Sequence, residues 1–229
     1  MTIAALIVAG GRGRRFGGEL PKQYRMLAGK PVLRHAIDAF LSSPLVDRIQ
    51  VVIRDSDRAH YDAATRGLAL LVPVAGGDTR QASVRSGLEA LATNPPASVL
   101  IHDAARPFLS TPMIAGCAAA LNSAPGAIVA VPLRDTLKRG SQNNEIAGTV
   151  DRNSLWRAQT PQAFRREILI AAYEGLHGRL VTDEASAVEI MGKPVMLIDH
   201  PEWNVKVTYP KDLPLVALVL SGRLKSKTE

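Results

Sequence analysis

The chain opens with a short apolar segment, residues 4–9, that stops abruptly at a cluster of glycines. A short apolar run bounded by breaker residues predicts a buried strand. The next segment, Gly10-Gly11-Arg12-Gly13-Arg14-Arg15-Phe16, alternates glycine with arginine, and Lys22 follows shortly afterwards. Glycines let backbone N–H groups approach one anion closely, and arginine and lysine are the usual partners of phosphate. The segment therefore predicts a triphosphate cradle, with a solvated strand-to-loop bend as the alternative.

Two common phosphate-binding loops do not fit this segment. A P-loop requires Gly-Lys-Ser or Gly-Lys-Thr, and no such triplet follows Gly10, Gly11 or Gly13. A dinucleotide-binding fingerprint requires a third glycine where Phe16 stands and a helix directly afterwards. Residues 17–21 instead separate Phe16 from any helix, so both interpretations are excluded.

Composition limits the classes of protein to which the chain can belong. A chain of 229 residues with 46% hydrophobic and 21% charged residues is typical of a globular protein. No apolar run reaches the ~20 residues that span a bilayer, and the first residues lack the basic start of a signal peptide, so a cytoplasmic location is expected. The net charge of +7 would suit a nucleic acid, but aromatic residues make up only 4% of the chain. A small, highly charged substrate is the preferred hypothesis, with neither nucleic acid nor membrane as a partner.

Apolar strand patterns alternate with helix patterns along most of the chain. Predicted strands cover 4–9, 49–53, 68–74, 98–102, 127–131, 195–198 and 205–208. Predicted helices cover 31–41, 57–66, 79–91, a segment capped by Thr111-Pro112, 164–176, 182–191 and 213–220, followed by a charged, frayed tail at 221–229. This order predicts a Rossmann-like α/β fold, with a mostly parallel sheet and helices on both faces. The single cysteine, Cys117, is expected to be a small buried hydrophobe.

Residues 133–155 differ from the rest of the chain. Two short polar segments flank Gly140-Ser141-Gln142-Asn143-Asn144, a pattern that predicts a β-hairpin. Because an isolated two-stranded hairpin is marginally stable in water, this arm is expected to lean on something else. The chain is therefore predicted to be one domain, residues 1–229, with 133–155 as a protruding β-arm. A mobile surface hairpin is the alternative.

Two residues at the end of the 98–102 strand carry competing hypotheses. Asp103 lies where ligands gather in open α/β sheets, so its carboxylate could hold a divalent cation that bridges phosphate oxygens. An ion pair with Arg106, three residues further on, is the alternative. His102 is expected to be a structural hydrogen-bonding residue.

Three further residues are ambiguous in the same way. Asp78 could cap the helix that follows it or contact a nucleotide at that helix N-terminus. Thr182 belongs to a second such helix start, where it could cap or reach a substrate. Lys206 interrupts an apolar segment, so it points either outward to solvent or inward to phosphate.

Several motifs together resemble one family. Gly-x-Gly-x-Arg followed by Pro-Lys-Gln-Tyr is similar to the signature loop of the cytidylyltransferases that make 4-diphosphocytidyl-2-C-methylerythritol in the non-mevalonate isoprenoid pathway. That family usually has Pro-Ala-Ala-Gly where this chain has Val8-Ala9-Gly10-Gly11, which keeps the small residues of the turn. Further blocks follow in the family's order: Gly76-Gly77-Asp78-Thr79-Arg80, His102-Asp103-Ala104-Ala105-Arg106-Pro107, Arg134-Asp135-Thr136, Val150-Asp151-Arg152-Asn153, Gln159-Thr160-Pro161-Gln162, Thr182-Asp183-Glu184-Ala185-Ser186 and Asn204-Val205-Lys206-Val207-Thr208.

The resemblance implies a nucleotide-diphospho-sugar transferase-like fold and cytidylyl transfer from CTP to 2-C-methyl-D-erythritol 4-phosphate, with Mg²⁺ or another divalent metal as cofactor. It also implies a homodimer joined through the 133–155 arm. A sister polyol-phosphate enzyme, such as the ribitol-phosphate type, is the alternative, although residues 102–106 and 182–186 favour the methylerythritol branch.

The residue roles that the resemblance implies fall into four groups. The catalytic residues are Arg15 and Lys22; the CTP-binding residues are Ala9, Gly10, Gly11, Gly13, Gly77, Asp78, Ser83 and Lys206; the acceptor-binding residues are Asp103, Arg106, Thr136, Arg152, Thr160, Thr182 and Lys206; and the metal ligand is Asp103.

Overall fold

The computed structural model describes residues 2–13, 15–200 and 204–225. Its strands are β1 Ile3–Val8, β2 Met26–Leu27, β3 Lys30–Pro31, β4 Arg48–Ile53, β5 Val74–Ala75, β6 Ser98–Asp103, β7 Gly126–Pro132, β8 Leu137–Gly140, β9 Ile146–Val150, β10 Trp156–Arg165 and β11 Val195–Asp199. Its α-helices are α1 Val32–Leu41, α2 Arg58–Ala64, α3 Arg80–Ala90, α4 Thr111–Ala120, α5 Arg166–Glu174, α6 Glu184–Ile190 and α7 Asp212–Lys225.

Seven of these strands form one sheet in the order β11-β7-β10-β6-β1-β4-β5. The pairs β1–β4, β1–β6, β4–β5 and β7–β11 are parallel, and β10 runs antiparallel to both of its neighbours. The prediction of a mostly parallel sheet is thus confirmed. Strand β1 lies near the centre, so the loop that follows it emerges at the carboxyl edge of the sheet beside the end of β6.

The continuous apolar character of β1 follows from burial on both faces. Ile3, Ala5 and Ile7 pack in a core with residues of α1, α2 and α4, whereas Ala4 and Leu6 pack in a second core with residues of α3, α5 and α6. A strand covered on both sides has no polar face, and this is why the segment shows no alternation. Cys117 is fully buried in the first core, as expected, and burial raises the pKa of its thiol to about 12.

Strand β10 is the main element that the sequence pattern missed. Residues 164–176 were expected to form one helix, but Phe164 still belongs to β10, which ends at Arg165, and α5 begins at Arg166. The part of β10 around Gln159-Thr160-Pro161-Gln162 is polar and contains a proline, and its pairing with β7 shifts register between Ala158 and Gln162. Proline and polar residues within a run argue against a central strand, so the pattern was misleading here.

Two predicted strands are shorter or absent. Of 68–74, only the end is a strand, β5, because Pro73 has no N–H to donate and the side-chain amide of Gln50 donates to the Val72 carbonyl at 2.9 Å. Residues 205–208 are extended but irregular. The Val207 N–H donates to the Ala105 carbonyl at 2.8 Å, and the Val207 carbonyl accepts from the Lys22 Nζ at 2.6 Å. These backbone groups therefore bond to loops and a side chain.

Helix boundaries also differ in detail. The predicted ends are close to those of α1, α2, α3 and α6, but α4 has Ser110 at its N-cap position. Helix α7 continues to Lys225, beyond the predicted end at residue 220, and residues 226–229 of the expected frayed tail lie outside the described residues. Within the described ranges, the structure contains no helix that is long and apolar enough to cross a membrane.

The 133–155 arm forms the predicted hairpin. Strands β8 and β9 pair with each other as a separate two-stranded sheet, with Leu137 opposite Val150, and Asn144 takes the left-handed backbone conformation in the turn (φ 61°). Most residues of the hairpin are exposed, including Ile146 at 70%. The hairpin therefore contributes little to either core, and the single-domain boundary remains a prediction.

Candidate active site

A cleft of about 1090 Å³ opens at the carboxyl edge of the sheet, beside the ends of β1 and β6. The loop after β1, the loop between β5 and α3, the end of β6 and the extended segment before α7 form its walls. The predicted site residues that line it are Ala9, Gly10, Gly11, Gly13, Arg15, Lys22, Gly77, Asp78, Ser83, Asp103 and Lys206. The structure thus brings most of the predicted site together. Arg14 lies outside the described residues.

The glycine loop is bonded to a side chain of the Pro-Lys-Gln-Tyr motif to which the sequence analysis assigned no role of its own. The buried amide of Gln23 donates to the Ala9 carbonyl at 2.7 Å and to the Gly11 carbonyl at 3.4 Å. These two bonds fix the loop in the wall of the cleft, which Gln23 also lines. Gly13 has a φ of +60°, which a residue with a side chain rarely adopts, so the turn requires glycine there.

The opposite wall is made by the start of α3. Thr79 caps this helix by accepting from the Ala82 N–H at 3.0 Å, so the alternative that Asp78 is the cap is wrong. Asp78 is exposed on the wall of the cleft instead. A Cβ on Gly77 would lie 2.5 Å from the Ala82 Cβ, and the tight turn therefore excludes a larger residue. Ser83 is buried beneath the turn and donates to the Thr79 carbonyl at 3.0 Å.

Lys22 lines the cleft together with other cations, among them Arg15 and Lys206. Its Nζ donates to the Val207 carbonyl at 2.6 Å, which fixes the ammonium group between the glycine loop and the segment before α7. Burial, reinforced by the positive charges of Lys206 and Arg15 and opposed by Asp103, lowers the pKa of Lys22 to about 8. An ammonium with this pKa is partly desolvated, and it gains more than a solvated one when an anion arrives.

Asp103, the last residue of β6, is the carboxylate that pairs with three cations of the site. Its Oδ2 accepts from the Lys206 Nζ at 2.7 Å and lies 3.7 Å from the Arg106 Nε, and its Oδ1 accepts from the Arg80 Nε at 3.1 Å. Burial alone raises the pKa of Asp103, but the charges of Lys206, Arg80 and Arg106 outweigh it and hold the pKa well below its usual range. Of the two alternatives for Lys206, the structure shows the inward one.

His102 has the structural role that was expected. Its Nε2 lies 3.0 Å from the Arg106 carbonyl, which can only accept, so the Nε2 carries the proton and the Nδ1 accepts from the Thr160 hydroxyl at 3.0 Å. The Thr160 oxygen in turn accepts from the Asp103 N–H at 3.1 Å. Burial lowers the pKa of His102 to about 4, and the ring is therefore neutral at neutral pH. This chain of bonds fixes the backbone that carries Asp103 and Arg106.

A second cavity of about 500 Å³ adjoins the first, since Arg15, Lys206 and Thr208 line both. Arg106 and Arg157 contribute to its walls. The Arg106 Nη1 donates to the Asn204 carbonyl at 2.7 Å, which holds the guanidinium in place. The second cavity is therefore also cationic and suits an anionic ligand next to the one in the cleft.

Four predicted acceptor-binding residues are not among the described residues that line either cavity: Thr136, Arg152, Thr160 and Thr182. Thr160 is buried beneath Asp103, and Thr182 is exposed near the start of α6, where Asp183 is the cap. Thr136 and Arg152 are exposed at the base of the arm, where an Arg152 amino group donates to the Arg134 carbonyl. Their roles toward a substrate stay predictions.

The sequence analysis also missed residues that the structure places in the cleft, among them Arg80 and the segment Arg54-Asp55-Ser56. Arg80 directly follows the Gly76-Gly77-Asp78-Thr79 turn, so its position was available as a signal. The segment 54–56 follows β4, and the carboxyl end of β4 is at the same edge as that of β1. Proximity to parallel-strand ends could have identified both.

The carboxylate of Asp103 is the candidate ligand for a divalent metal in the cleft. Among the described residues, no group of three or more His, Cys, Asp or Glu side chains could hold a metal ion. Mg²⁺ is commonly held by one or two carboxylates together with substrate phosphates and water. Each Asp103 oxygen accepts one close hydrogen bond and keeps a further lone pair, and the side chain lines the cleft. The residues therefore fit a metal shared with a bound polyphosphate.

Fold and cleft together define an α/β nucleotidyltransferase: a mostly parallel sheet presents a glycine loop, several cations and the carboxylate of Asp103 at the carboxyl ends of its strands. The family model described as "IspD: 2-C-methyl-D-erythritol 4-phosphate cytidylyltransferase" matches residues 3–221. The chain belongs to this family.

Individual relatives agree with the family assignment. The chain is 48% identical over 215 residues to the 2-C-methyl-D-erythritol 4-phosphate cytidylyltransferase of Cereibacter sphaeroides strain KD131, covering 93% of this chain and 94% of the relative. It is 49% identical over 217 residues to the bifunctional enzyme IspD/IspF of Paramagnetospirillum magneticum, covering 95% of this chain and 56% of the relative. The chain thus spans about half the length of such bifunctional relatives.

A solved structure agrees as well. The crystal structure of the 2-C-methyl-D-erythritol 4-phosphate cytidylyltransferase (IspD) of Francisella tularensis superimposes with a TM-score of 0.81 at 30% sequence identity, covering 95% of this chain and 99% of that one.

Proposed function

We propose that this chain transfers the cytidylyl group of CTP to 2-C-methyl-D-erythritol 4-phosphate, giving 4-diphosphocytidyl-2-C-methyl-D-erythritol and pyrophosphate. The observation that carries the proposal is the convergence of Arg15, Lys22 and Lys206 with the glycine loop in one cleft. Family membership and the names of its relatives support this choice of substrates.

The reaction needs positioning and charge neutralisation more than covalent chemistry. A phosphate oxygen of the acceptor attacks the α-phosphorus of CTP, the bond from that phosphorus to the bridging oxygen breaks, and pyrophosphate leaves with the electron pair. Fixed cations that face the phosphate oxygens stabilise the charge that develops on them. Lys22 and Arg15 are the candidates, because both line the cleft and Lys22 is already fixed by the Val207 carbonyl.

The glycine loop is the candidate cradle for the triphosphate of CTP. The Gln23 amide fixes the loop through the carbonyls of Ala9 and Gly11. Ala9, Gly10, Gly11 and Gly13 can therefore present backbone N–H groups to the phosphates. The opposite wall, with Gly77, Asp78 and Ser83, is then left for the nucleoside.

The acceptor is proposed to occupy the second cavity. Arg106 and Lys206 line this cavity, and Lys206 and Arg15 also face the cleft, so a phosphate bound there adjoins the CTP phosphates. Thr160 would act through the backbone of Asp103, which its hydroxyl contacts, and Thr182 stays a proposed contact at the rim.

A divalent metal, with Mg²⁺ as the first candidate, would be held by Asp103 and substrate phosphates. When bound, such an ion neutralises phosphate charge. The chain's own contribution is to keep Asp103 ionised, which Lys206, Arg80 and Arg106 do by holding its pKa low against the effect of burial.

The arm is proposed to join two copies of the chain. It is exposed and polar, yet it carries Thr136 and Arg152, which are not among the described residues lining either cavity. In a homodimer paired through residues 133–155, these two residues would reach the partner's acceptor cavity.

Pyrophosphate release tests the proposed substrates. The protein is incubated with CTP, Mg²⁺ and one acceptor at a time. We expect pyrophosphate release with 2-C-methyl-D-erythritol 4-phosphate, and no release when either the acceptor or the metal is left out. Equal turnover with ribitol 5-phosphate contradicts the acceptor assignment and leaves the nucleotidyltransferase class intact. Equal turnover with ATP, GTP or UTP contradicts the choice of CTP.

A further inference from the structure

Arg80 lies between two carboxylates that come from distant parts of the chain. Its Nε donates to the Asp103 Oδ1 at 3.1 Å, and its Nη1 donates to the Glu184 Oε1 at 2.6 Å. Arg80 is the first residue of α3, Asp103 ends β6 and Glu184 begins α6. A single guanidinium therefore ties the carboxylate of the cleft to a helix on the flank of the sheet.

Glu184 is deeply buried and held from a second side. Its side chain is 1% exposed, and its Oε1 also accepts from the Tyr173 hydroxyl at 2.9 Å. Its Oε2 has no hydrogen-bond partner among the described residues. A buried carboxylate is costly unless it is paired, and the bond to Arg80 supplies that pairing.

The geometry of Arg80 decides how Asp103 is shared. A guanidinium and a carboxylate commonly pair through two parallel hydrogen bonds. Here Arg80 contacts only the Oδ1 of Asp103, through its Nε, while its Nη1 is bonded to Glu184 and its Nη2 has no hydrogen-bond partner among the described residues. The Oδ2 of Asp103 remains for Lys206 at 2.7 Å. Without the charge of Glu184, the guanidinium loses the bond that fixes its orientation, and Arg80 is free to turn its Nη2 toward the Oδ2 of Asp103 and to compete with Lys206.

We propose that Glu184 is a positioning residue of the transfer reaction, which holds Arg80 on one oxygen of Asp103 and so keeps the other oxygen for Lys206. This inference rests on the proposed function, because Asp103 and Lys206 are proposed there to bind the metal and the substrates. Glu184 itself touches no substrate; it acts through Arg80. The Tyr173 hydroxyl donates to the same Glu184 oxygen as Arg80, and within the described part of the chain it has no hydrogen bond to Arg80 or Asp103.

The test compares two variants that each weaken the same buried cluster. Glu184→Gln keeps the size of the side chain and removes its charge. Tyr173→Phe, the matched control, removes one hydrogen bond to the same oxygen and leaves the pair between Glu184 and Arg80 intact. We expect Glu184→Gln to lower kcat/KM for the acceptor by about tenfold or more, as residues that orient reactive groups typically do. We expect Tyr173→Phe to stay within about twofold of wild type.

Two measurements separate positioning from general loosening of the structure. The Kd of CTP, measured by calorimetry without acceptor, should change less than about twofold in Glu184→Gln, whereas a loosened cleft would bind CTP more weakly. In an Arg80→Gln background, Glu184→Gln should cause no further loss of kcat/KM, because residues acting through one another are not additive. Additive losses, or wild-type kinetics in Glu184→Gln, overturn the proposal.

A second variant covers a failure of Glu184→Gln to fold. Arg80→Lys keeps the positive charge, but one ammonium cannot bridge Asp103 and Glu184 with the geometry of a guanidinium. We then expect the same fall of about tenfold in kcat/KM, and wild-type kinetics in Arg80→Lys overturn the proposal. Wild-type protein without activity on CTP and the acceptor refutes the proposed function itself, which keeps the two failures distinct.

Discussion

Asp103 and Arg152 are both charged residues of the proposed active site, and the structure holds them in contrasting ways. Asp103 ends a fully buried central strand and contacts three cations of its own chain, Lys206, Arg80 and Arg106. Arg152 lies exposed at the base of the arm, where its guanidinium donates to the Arg134 carbonyl.

The difference extends to the whole of both regions. The cleft is formed by loops anchored on β1, β4 and β6, each of which is buried in both cores. The arm is a separate two-stranded sheet with few buried residues. The groups of the cleft are positioned by packed strands of their own chain. Groups on an exposed hairpin need the surface of another chain to hold them in position. We therefore expect a substitution in the cleft to disable the site of its own chain. A substitution in the arm should disable the site of the partner chain.

The largest effect is expected for Asp103→Asn. Loss of the carboxylate removes the proposed metal ligand and should lower metal-dependent activity by about 10³-fold, in line with several kcal/mol of lost charge stabilisation. Activity titrated against Mg²⁺ measures this. The matched control is Asp62→Asn, which breaks an exposed ion pair with Arg58 and should leave kinetics unchanged.

The variant also removes the anion that balances three cations, so circular dichroism must first show that it is folded. Unchanged activity with unchanged Mg²⁺ dependence in a folded Asp103→Asn protein removes Asp103 from the metal site.

Lys22→Ala should have the next largest effect. If Lys22 stabilises charge in the transition state, kcat falls by about 10²-fold or more, the usual scale for one preorganised donor, while CTP affinity falls much less. Steady-state kinetics and CTP titration measure the two quantities separately. Lys193→Ala, an exposed lysine between α6 and β11, is the control. A raised KM with unchanged kcat would instead assign Lys22 to ground-state binding.

The pH dependence of kcat/KM sharpens the account of the cleft. The pKa of Lys22 is about 8, so its positive charge is present below that pH and is lost above it. Because kcat/KM reports the free enzyme, it should fall by about tenfold for each pH unit above 8. The kcat profile should bend at higher pH, since bound phosphates favour the charged lysine. Lys22→Arg should lack the limb near pH 8, and a limb that stays in this variant belongs to another group.

The smallest signal tests the arm. Lys22→Ala and Arg152→Ala, each inactive alone, should rescue one another when they are unfolded together and refolded. If the arm serves the partner's cleft, a mixed dimer has both defects in one site and none in the other. Random pairing makes about half of the dimers mixed, so about a quarter of wild-type activity should return. Exchange is confirmed with two affinity tags. Confirmed mixed dimers without activity would show that both residues serve the same site within one chain.

The sequence could predict those parts of the molecule in which local pattern and burial agree. Strand β1 and the glycine loop were recognisable because burial on both faces requires a continuous apolar run, and this run stops at a cluster of glycines. The polar stretch Gln159–Gln162 hid β10, since the buried Thr160 hydroxyl and Gln162 amide form hydrogen bonds with the distant partners His102 and Asp183. A pattern search within one window cannot see such partners.

The electrostatics of the site were the least accessible part. Asp103 and Lys206 are 103 residues apart in the chain, and Arg80 and Glu184 are 104 apart. Sequence spacing suggested only the local pair of Asp103 with Arg106, which the structure shows as the longest of the three contacts at 3.7 Å. Which cations reach one carboxylate depends on how distant loops approach each other at the edge of the sheet. A local stretch of sequence does not contain that information.

The central claim, that the cleft transfers a nucleotidyl group, is tested most directly by following the label of CTP. CTP carrying ³²P at either the α or the γ position is incubated with the enzyme, Mg²⁺ and 2-C-methyl-D-erythritol 4-phosphate, and the products are separated by chromatography. If the cleft transfers a nucleotidyl group, the α label appears in the acceptor product and the γ label appears only in pyrophosphate. Transfer of the γ label to the acceptor would instead show phosphoryl transfer and contradict the claim.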